Sequence, residues 1–333
     1  MELSLTAAVD DDGRRLDRIL RKALRELPLS AIHRILRQGC VRVNGQPATA
    51  ARRIRAGETI TVTDISGEGL SRKREGAKSK GIFNFPGYIL FEGAGLLLVN
   101  KPAGLAVHGE AGGSAPHLTE RFAKSLAEPL VEPLAEQVLA YLTPKLPPSL
   151  SFRPGPLHRL DKPSSGVIAF SASLEGARHF SAMMRERKIK KFYLAIVEGV
   201  IAKAEIWQDE LSRDRNLKKT FSGAGHDGKT RTAITRVKPL ARNAACTLIL
   251  AEIETGRSHQ IRAQAAAHGH PLLGDKKYGG KPLPKGGGGF LLHAWRMEFP
   301  ADNPLPDLPG LIEAPLPDYF RAKILELFGE LGL

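Results

Sequence analysis

The stretch Ser66–Gly81, SGEGLSRKREGAKSKG, constrains this chain most. It carries five Lys and Arg, four Gly and one large apolar residue, Leu70. Such a segment buries too little apolar surface to offset the entropy of ordering it. Residues 65–86 therefore read as a flexible basic linker. The chain must then fold as two units, a small one over 1–64 and a large one over 87–333.

The small unit has its own pattern. From Arg14 to Leu27, the positions Leu16, Ile19, Leu20, Ala23, Leu24 and Leu27 repeat at helical spacing, and Pro28 breaks the run. Ser30 is placed to cap a second helix that carries Ile32, Ile35 and Leu36 on one face. Val41-Arg42-Val43 alternates like a strand and ends in Asn44-Gly45, a hairpin turn signal. Thr59 to Val62 reads as a closing strand. Arg18, Arg21, Arg25, Arg34, Arg37 and Arg42 fall where the apolar stripe leaves room. A solvated face is the ordinary reading of such positions. Six arginines, in place of mixed Lys and Glu, favour phosphate contact.

The charge balance agrees. Residues 1–80 hold 17 basic and 10 acidic side chains, a net of +7, and the other 253 residues carry the remaining +7 of the chain's +14. Positive charge is thus about three times denser at the N-terminus, which suits a polyanion, since neutralised phosphates release counterions. Cys40 and Cys246 are the two cysteines and form no CxxC, so neither a disulfide framework nor a Cys-based zinc site is expected. The N-terminus lacks an apolar signal core, and no apolar run approaches a membrane span. A cytoplasmic protein without a membrane partner is expected.

The large unit reads as α+β. Strands are expected at 96–99, 167–171, 192–198, 232–237 and 247–254. Helices are expected near 130–142, 174–187, 258–268 and 318–328. Strands and helices do not alternate regularly, which favours a mixed or antiparallel sheet with flanking helices over a doubly wound fold. Residues 111–156 are Pro-rich and poorly patterned.

The chemistry-bearing block is Pro156 to Phe170, PLHRLDKPSSGVIAF. It puts Asp161 in a polar loop just ahead of a buried strand, where active sites concentrate. Alone, an Asp between Leu and Lys is more often a surface charge or a cap. Tyr193 within a strand is more often a packing residue, and Arg262 on an amphipathic helix more often solvated. His259, His268, His270 and His293 match no metal-site spacing. Gly286 to Gly289 lacks the strand-then-helix context of a phosphate cradle.

Order along the chain changes the weighing. The run Leu29 to Gly45, LSAIHRILRQGCVRVNG, resembles the S4 RNA-binding domain. Lys101 to His108 (KPAGLAVH), His158 to Gly166 (HRLDKPSSG), Lys191 to Gly199 (KFYLAIVEG), Gly256 to Arg262 (GRSHQIR), Gly269 to Asp275 with Tyr278-Gly279, and Leu292-His293-Ala294 follow one another as in the RluA-type family of pseudouridine synthases. The resemblance covers about residues 88–300, and the full length for the S4-bearing members. It implies an S4-like domain followed by a mixed-sheet catalytic domain with a central cleft, and isomerisation of uridine to pseudouridine in RNA.

It also implies roles. Asp161 is the essential carboxylate, Tyr193 stacks on the target base and is a candidate to take its C5 proton, and Arg262 pairs with Asp161. Arg159, His158, Lys101 and Gly104 lie on the substrate side, and Arg34, Arg37 and Arg42 on the phosphate backbone. The reaction breaks N1–C1′ and rejoins through C5 without redox change, so neither cofactor nor metal is expected. Attack at C1′, removal of the 2′ proton and addition to C6 all remain open to the carboxylate. The target base must be flipped or already unpaired.

Three departures from the family pattern stand out: Ser164 for Thr, Ala263-Gln264 for Val-His, and a long 111–156 segment. The S4 resemblance and the form of the Lys101 block favour large-subunit ribosomal RNA, with transfer RNA the alternative. A glycoside-processing enzyme would need a second facing carboxylate, which the sequence does not offer. A non-catalytic RNA-binding or ribosome-assembly factor would not need Asp161, Tyr193 and Arg262 together. A monomer without an obligate protein partner is expected.

Overall fold

The computed structural model describes residues 2–24, 27–63, 85–109, 132–214, 219–223, 230–283 and 289–332. Arg25 and nearly all of the expected linker lie outside the described residues, as does most of the first half of 111–156. The described chain forms two compact units, each with its own core.

The first unit holds strand β1 (Leu3–Thr6), helices α1 (Leu16–Ala23) and α2 (Leu29–Arg37), and strands β2 (Val41–Val43), β3 (Gln46–Pro47) and β4 (Thr59–Val62). Its sheet runs β1–β4–β2–β3, antiparallel throughout. The apolar stripe read from the sequence is its core: Leu16, Ile19, Leu20, Ile32, Val41, Val43, Ile60 and Val62 are fully or nearly fully buried. Asn44 and Gly45 both take positive φ, the twist a tight hairpin needs. The cap differs from expectation. Pro28 occupies the cap position of α2, and Ser30 lies inside its first turn. Proline suits a helix start, where no N–H partner is needed. Residues 139–155 join this unit, and the Leu150 N–H donates to the buried Asp11 carboxylate at 3.1 Å.

The chain continues through β5 (Ile89–Gly93), β6 (Leu96–Lys101), α3 (Leu134–Leu142), β7 (Gly155–Pro156), β8 (Ser165–Ser171), α4 (Leu174–Arg185), β9 (Lys190–Glu198), β10 (Glu205–Asp214), β11 (Lys219–Ser222), β12 (Thr230–Arg242), β13 (Cys246–Ile253), α5 (Gln260–Ala267), β14 (Leu292–Glu298), β15 (Leu311–Glu313) and α6 (Asp318–Phe328). The second unit's sheet runs β11–β10–β12–β13–β9–β14–β8–β6–β5, with β15 beside β14. Every neighbour on that path is antiparallel except β8 and β14, which are parallel. The fold is α+β with a mixed sheet, as the irregular order of elements predicts.

Helix α4 packs Phe180 and Met183 over Leu96, Leu98, Val167 and Ala169, while α6 packs Phe320 and Ile324 over Leu194, Ile196 and Leu248. All seven residues of β8 are buried, which is why SGVIAFS reads as an apolar run instead of an alternation. At its start Gly166 takes φ +108°, and a Cβ there would meet the Ala294 carbonyl oxygen at 2.1 Å. Only glycine lets β8 and β14 approach at this point. Beside it, Ser165 Oγ donates to His293 Nδ1 at 2.8 Å, because His293 Nε2–H donates to the Ala314 carbonyl at 3.1 Å.

Candidate active site

Asp161 sits in the loop that leads into β8. Two contacts shape that loop. The Ser164 N–H donates to the Asp161 carbonyl at 3.1 Å, and the Gly104 N–H donates to the Lys162 carbonyl at 2.9 Å. Lys101 is fully buried at the end of β6, and its Nζ reaches the carbonyls of Pro102, Leu105 and Lys162 at 2.9, 2.9 and 3.1 Å. Burial lowers its pKa to about 7, against the opposing charge of Asp161. Three carbonyl acceptors match the three N–H bonds of an ammonium.

Lys101 therefore braces the Asp161 loop from behind and has no donor left for substrate. Gly104, at φ +83°, belongs to the same brace. His158 is corrected likewise. Its Nε2 accepts the Ala169 N–H at 3.0 Å, its ring stacks on Phe180, and burial lowers its pKa to about 3. These three residues, expected on the substrate side, are scaffold. Residue type alone conceals this, since a lysine reads as a surface charge until its burial is known.

Arg262 comes from α5, a helix whose short side chains, Ala263 and Ala265, let it lie close to the sheet. Two buried glutamines fix it there. Gln260 bonds Thr255, Thr235, the Ile234 carbonyl and the Arg257 N–H. Gln264 accepts from Thr235 Oγ1 at 2.6 Å and donates to Asp209 at 2.7 Å and the Trp207 carbonyl at 2.9 Å. The departure at Gln264 thus provides a polar clamp on the helix that carries Arg262.

The guanidinium serves two carboxylates. Nε and Nη2 form a fork onto Asp275 at 2.6 and 2.8 Å, and Nη1 donates to Asp161 Oδ2 at 2.7 Å. It lies between the rings of Tyr278 and Phe290, at 4.9 and 4.1 Å from their centroids. Burial disfavours its charge, yet the two carboxylates outweigh that and raise its pKa above the ordinary arginine value.

Tyr193, on β9, is buried and lines the same cleft as Asp161, Arg262, Arg159 and Ser164. Burial and the nearby Asp161 charge push its hydroxyl well above the usual tyrosine range. That weakens the expectation that it takes the C5 proton, and leaves its flat face as the feature it offers. Arg159 is exposed at the cleft. Arg34 and Arg37 are exposed on α2, and Arg42 is exposed on β2 with Nη1 toward the Gly45 carbonyl at 3.3 Å.

Three residues acquire a place that sequence reasoning did not give them. Asp275 is the buried partner of Arg262. His259, weighed above only against zinc, puts Nε2 3.7 Å from Asp161 Oδ1 and Nδ1 2.9 Å from the Tyr278 hydroxyl. Its pKa is lowered by burial, with Arg262, Lys277 and Arg213 adding to that and Asp161 opposing it. The Tyr278 hydroxyl also accepts the Thr220 N–H at 2.9 Å. All three lie within the blocks Gly256 to Arg262, Gly269 to Asp275 and Tyr278-Gly279 that carry the family resemblance, which is the signal that could have found them. Among the described residues no group of three or more His, Cys, Asp or Glu is placed to hold a metal ion.

The cleft thus sets the largely buried Asp161 carboxylate against the Arg262 cation, with Tyr193 lining the same cleft. A model of the RNA pseudouridylate synthase family matches residues 95–267, and one of the S4 domain matches residues 14–60. The ribosomal large subunit pseudouridine synthase D of Neisseria meningitidis is 31% identical over 99% of this chain and 83% of its own length. The ribosomal large subunit pseudouridine synthase C of Pasteurella multocida is 30% identical over 96% of this chain and 92% of its own. The solved structure of human RNA pseudouridylate synthase domain containing 4 shares the fold, with a TM-score of 0.51 and 21% identity over 72% of this chain and 93% of that one. With the family model spanning more than half of its residues and near full-length relatives beside it, this chain belongs to the RNA pseudouridylate synthase family and carries an S4 domain ahead of the catalytic fold.

Proposed function

We propose that this protein isomerises uridines of large-subunit ribosomal RNA to pseudouridine, with Asp161 as the reactive carboxylate. The observation that carries the assignment of Asp161 is its 2.7 Å contact with Arg262 in a cleft that Tyr193 also lines. The names of the relatives, at about 30% identity over nearly the whole chain, support the RNA class.

The roles follow from the chemistry. The carboxylate has to be anionic in a partly dry site, and a guanidinium that does not lose its proton compensates it. Arg262 also fixes which oxygen faces the cleft, because Oδ2 is occupied. Tyr193 supplies a face for the uracil. Arg159, exposed at the cleft, steadies the strand from which the nucleotide has turned out. Leaving group, nucleophile and acceptor all belong to one nucleotide, so no cofactor is required. We read residues 1–64 as the RNA-anchoring domain, 65–86 as the linker and 87–333 as the catalytic domain, in a monomeric cytoplasmic enzyme.

The test uses ribosomal RNA tritiated at uridine C5. The wild-type protein should release tritium, and Asp161→Asn should keep its RNA affinity while release falls by about 10³-fold or more. Retained turnover would remove Asp161 from its role. Absence of release by the wild type from any ribosomal RNA would leave a binding factor. Replacing Arg34, Arg37 and Arg42 together by Gln should weaken binding and flatten its salt dependence with catalysis at saturating RNA preserved. An unchanged salt slope would show that these arginines do not meet phosphates.

A further inference from the structure

We propose that Arg213, Lys219 and Lys277 form an anchor for phosphodiester groups of the RNA strand beside the nucleotide held at Asp161. This rests on the function proposed above and adds to it a binding site within the catalytic fold.

The three cations come from two separate segments. Arg213 and Lys219 face one another's neighbours across the β10–β11 pairing, where Arg213 pairs with Thr220 and Asp214 with Lys219. Lys277 lies in the single 3-10 turn Lys276–Tyr278. They converge on Tyr278 and His259. Lys219 Nζ stands 5.1 Å from the Tyr278 ring centroid and 5.2 Å from that of Phe221. Thr220, the next residue, gives its N–H to the Tyr278 hydroxyl. Arg213 Nη1 donates to Ser258 Oγ at 2.8 Å, one residue before His259. His259 in turn bonds Tyr278 and faces Asp161.

The cluster thus stands beside His259, which lines the cleft. Gathering like charges there has a cost. The pKa of Lys277 is lowered by its partial burial and by the neighbouring charges of Arg262, Lys219 and Arg213, with Asp161 opposing. Asp161 and Asp275 are both engaged by Arg262. A concentration of positive charge next to a site that takes a nucleotide matches a strand bearing one anionic phosphate per nucleotide. Lysine as a mobile point charge and arginine as a fork both suit phosphate oxygens. Lys219, steadied over two rings, is held near its position before RNA arrives.

The test measures RNA affinity across a salt series for the full-length wild type and for the triple variant R213Q/K219Q/K277Q. A control pair, K203Q/K238Q, removes exposed charges elsewhere in the same unit. Tritium release is read on the same RNA. The triple variant should lose about 0.7 in the slope of log affinity against log salt for each phosphate no longer neutralised, hence about 2 in all. Its KM should rise at least tenfold at low salt, with kcat at saturating RNA within about twofold of wild type. K277Q alone, at an exposed position, should show about one third of the slope change should the triple variant fold poorly.

An unchanged slope in both variants, or a slope change equal to that of the control pair, overturns the anchor. So does a fall in kcat with affinity intact, which would make the cluster a support for Tyr278. Absence of tritium release by the wild type counts against the proposed activity alone, because the salt slope is read from binding.

Discussion

Arg262 holds Asp161 with one nitrogen and the fully buried Asp275 with two others. The division matters physically. A guanidinium free to turn would form a fork onto Asp161 and cover both of its oxygens. Asp275 prevents that by claiming the fork, so Oδ1 of Asp161 is left facing His259 and the cleft. Asp275→Asn should therefore lower kcat by about 10²-fold through misplacement of Arg262. It should also lower unfolding stability by about 3 kcal/mol, since the buried cation loses one of its two carboxylates. Kinetics and urea unfolding of the same variant check both, and an unchanged kcat would show that Asp275 only stabilises. That Asp161, Tyr193 and Arg262 share one cleft was legible in the sequence through ordered blocks, although Asp161 and Arg262 lie 101 residues apart. The brace formed by Lys101, Gly104 and His158 was not. A residue type reports what a side chain can bond, and burial decides what it does bond.

Among the elements, the strands rich in Val, Ile and Leu were readable, with ends shifted by a few residues. The β10–β11 hairpin was missed. Glu205 to Asp214 has apolar residues only at Ile206, Trp207 and Leu211, and its buried positions do not alternate cleanly. Such a strand is defined by its neighbours instead of its own pattern. The hairpin nevertheless supplies two of the three proposed phosphate contacts. The junction of β8 with β14 gives a sharper expectation. Gly166→Ala should destabilise the fold by about 3 kcal/mol or more, because the methyl would overlap backbone, which cannot swing aside, and φ is positive. Thermal unfolding checks it. A loss below about 1 kcal/mol would mean that the two strands can separate there without penalty.

Over the whole molecule, two inward-facing histidines contribute to a loss of stability in acid. In the folded chain His293 titrates at about 4 and His158 at about 3, whereas an unfolded histidine titrates near 6.5. Below about pH 6.5 the unfolded chain takes up protons that the folded chain refuses, so stability falls as pH drops toward 4 and then 3. Each histidine contributes a slope of up to about 1.4 kcal/mol per pH unit. Urea unfolding between pH 7 and 4.5 should show this, and His293→Asn should flatten it. A stability independent of pH over that range would mean that both rings accept protons while folded.

The parallel pairing of β8 with β14 has a consequence in time. Ser165 and His293 are neighbours in space and 128 residues apart in the chain. During synthesis the loop bearing Asp161 leaves the ribosome long before the strand that must lie against it. Arg262 and Asp275 also arrive late. A nascent or prematurely ended chain can therefore complete its N-terminal RNA-binding unit while its reaction centre is still unassembled. Contact with RNA comes first and chemistry last, an order written into the topology by one non-local strand pair.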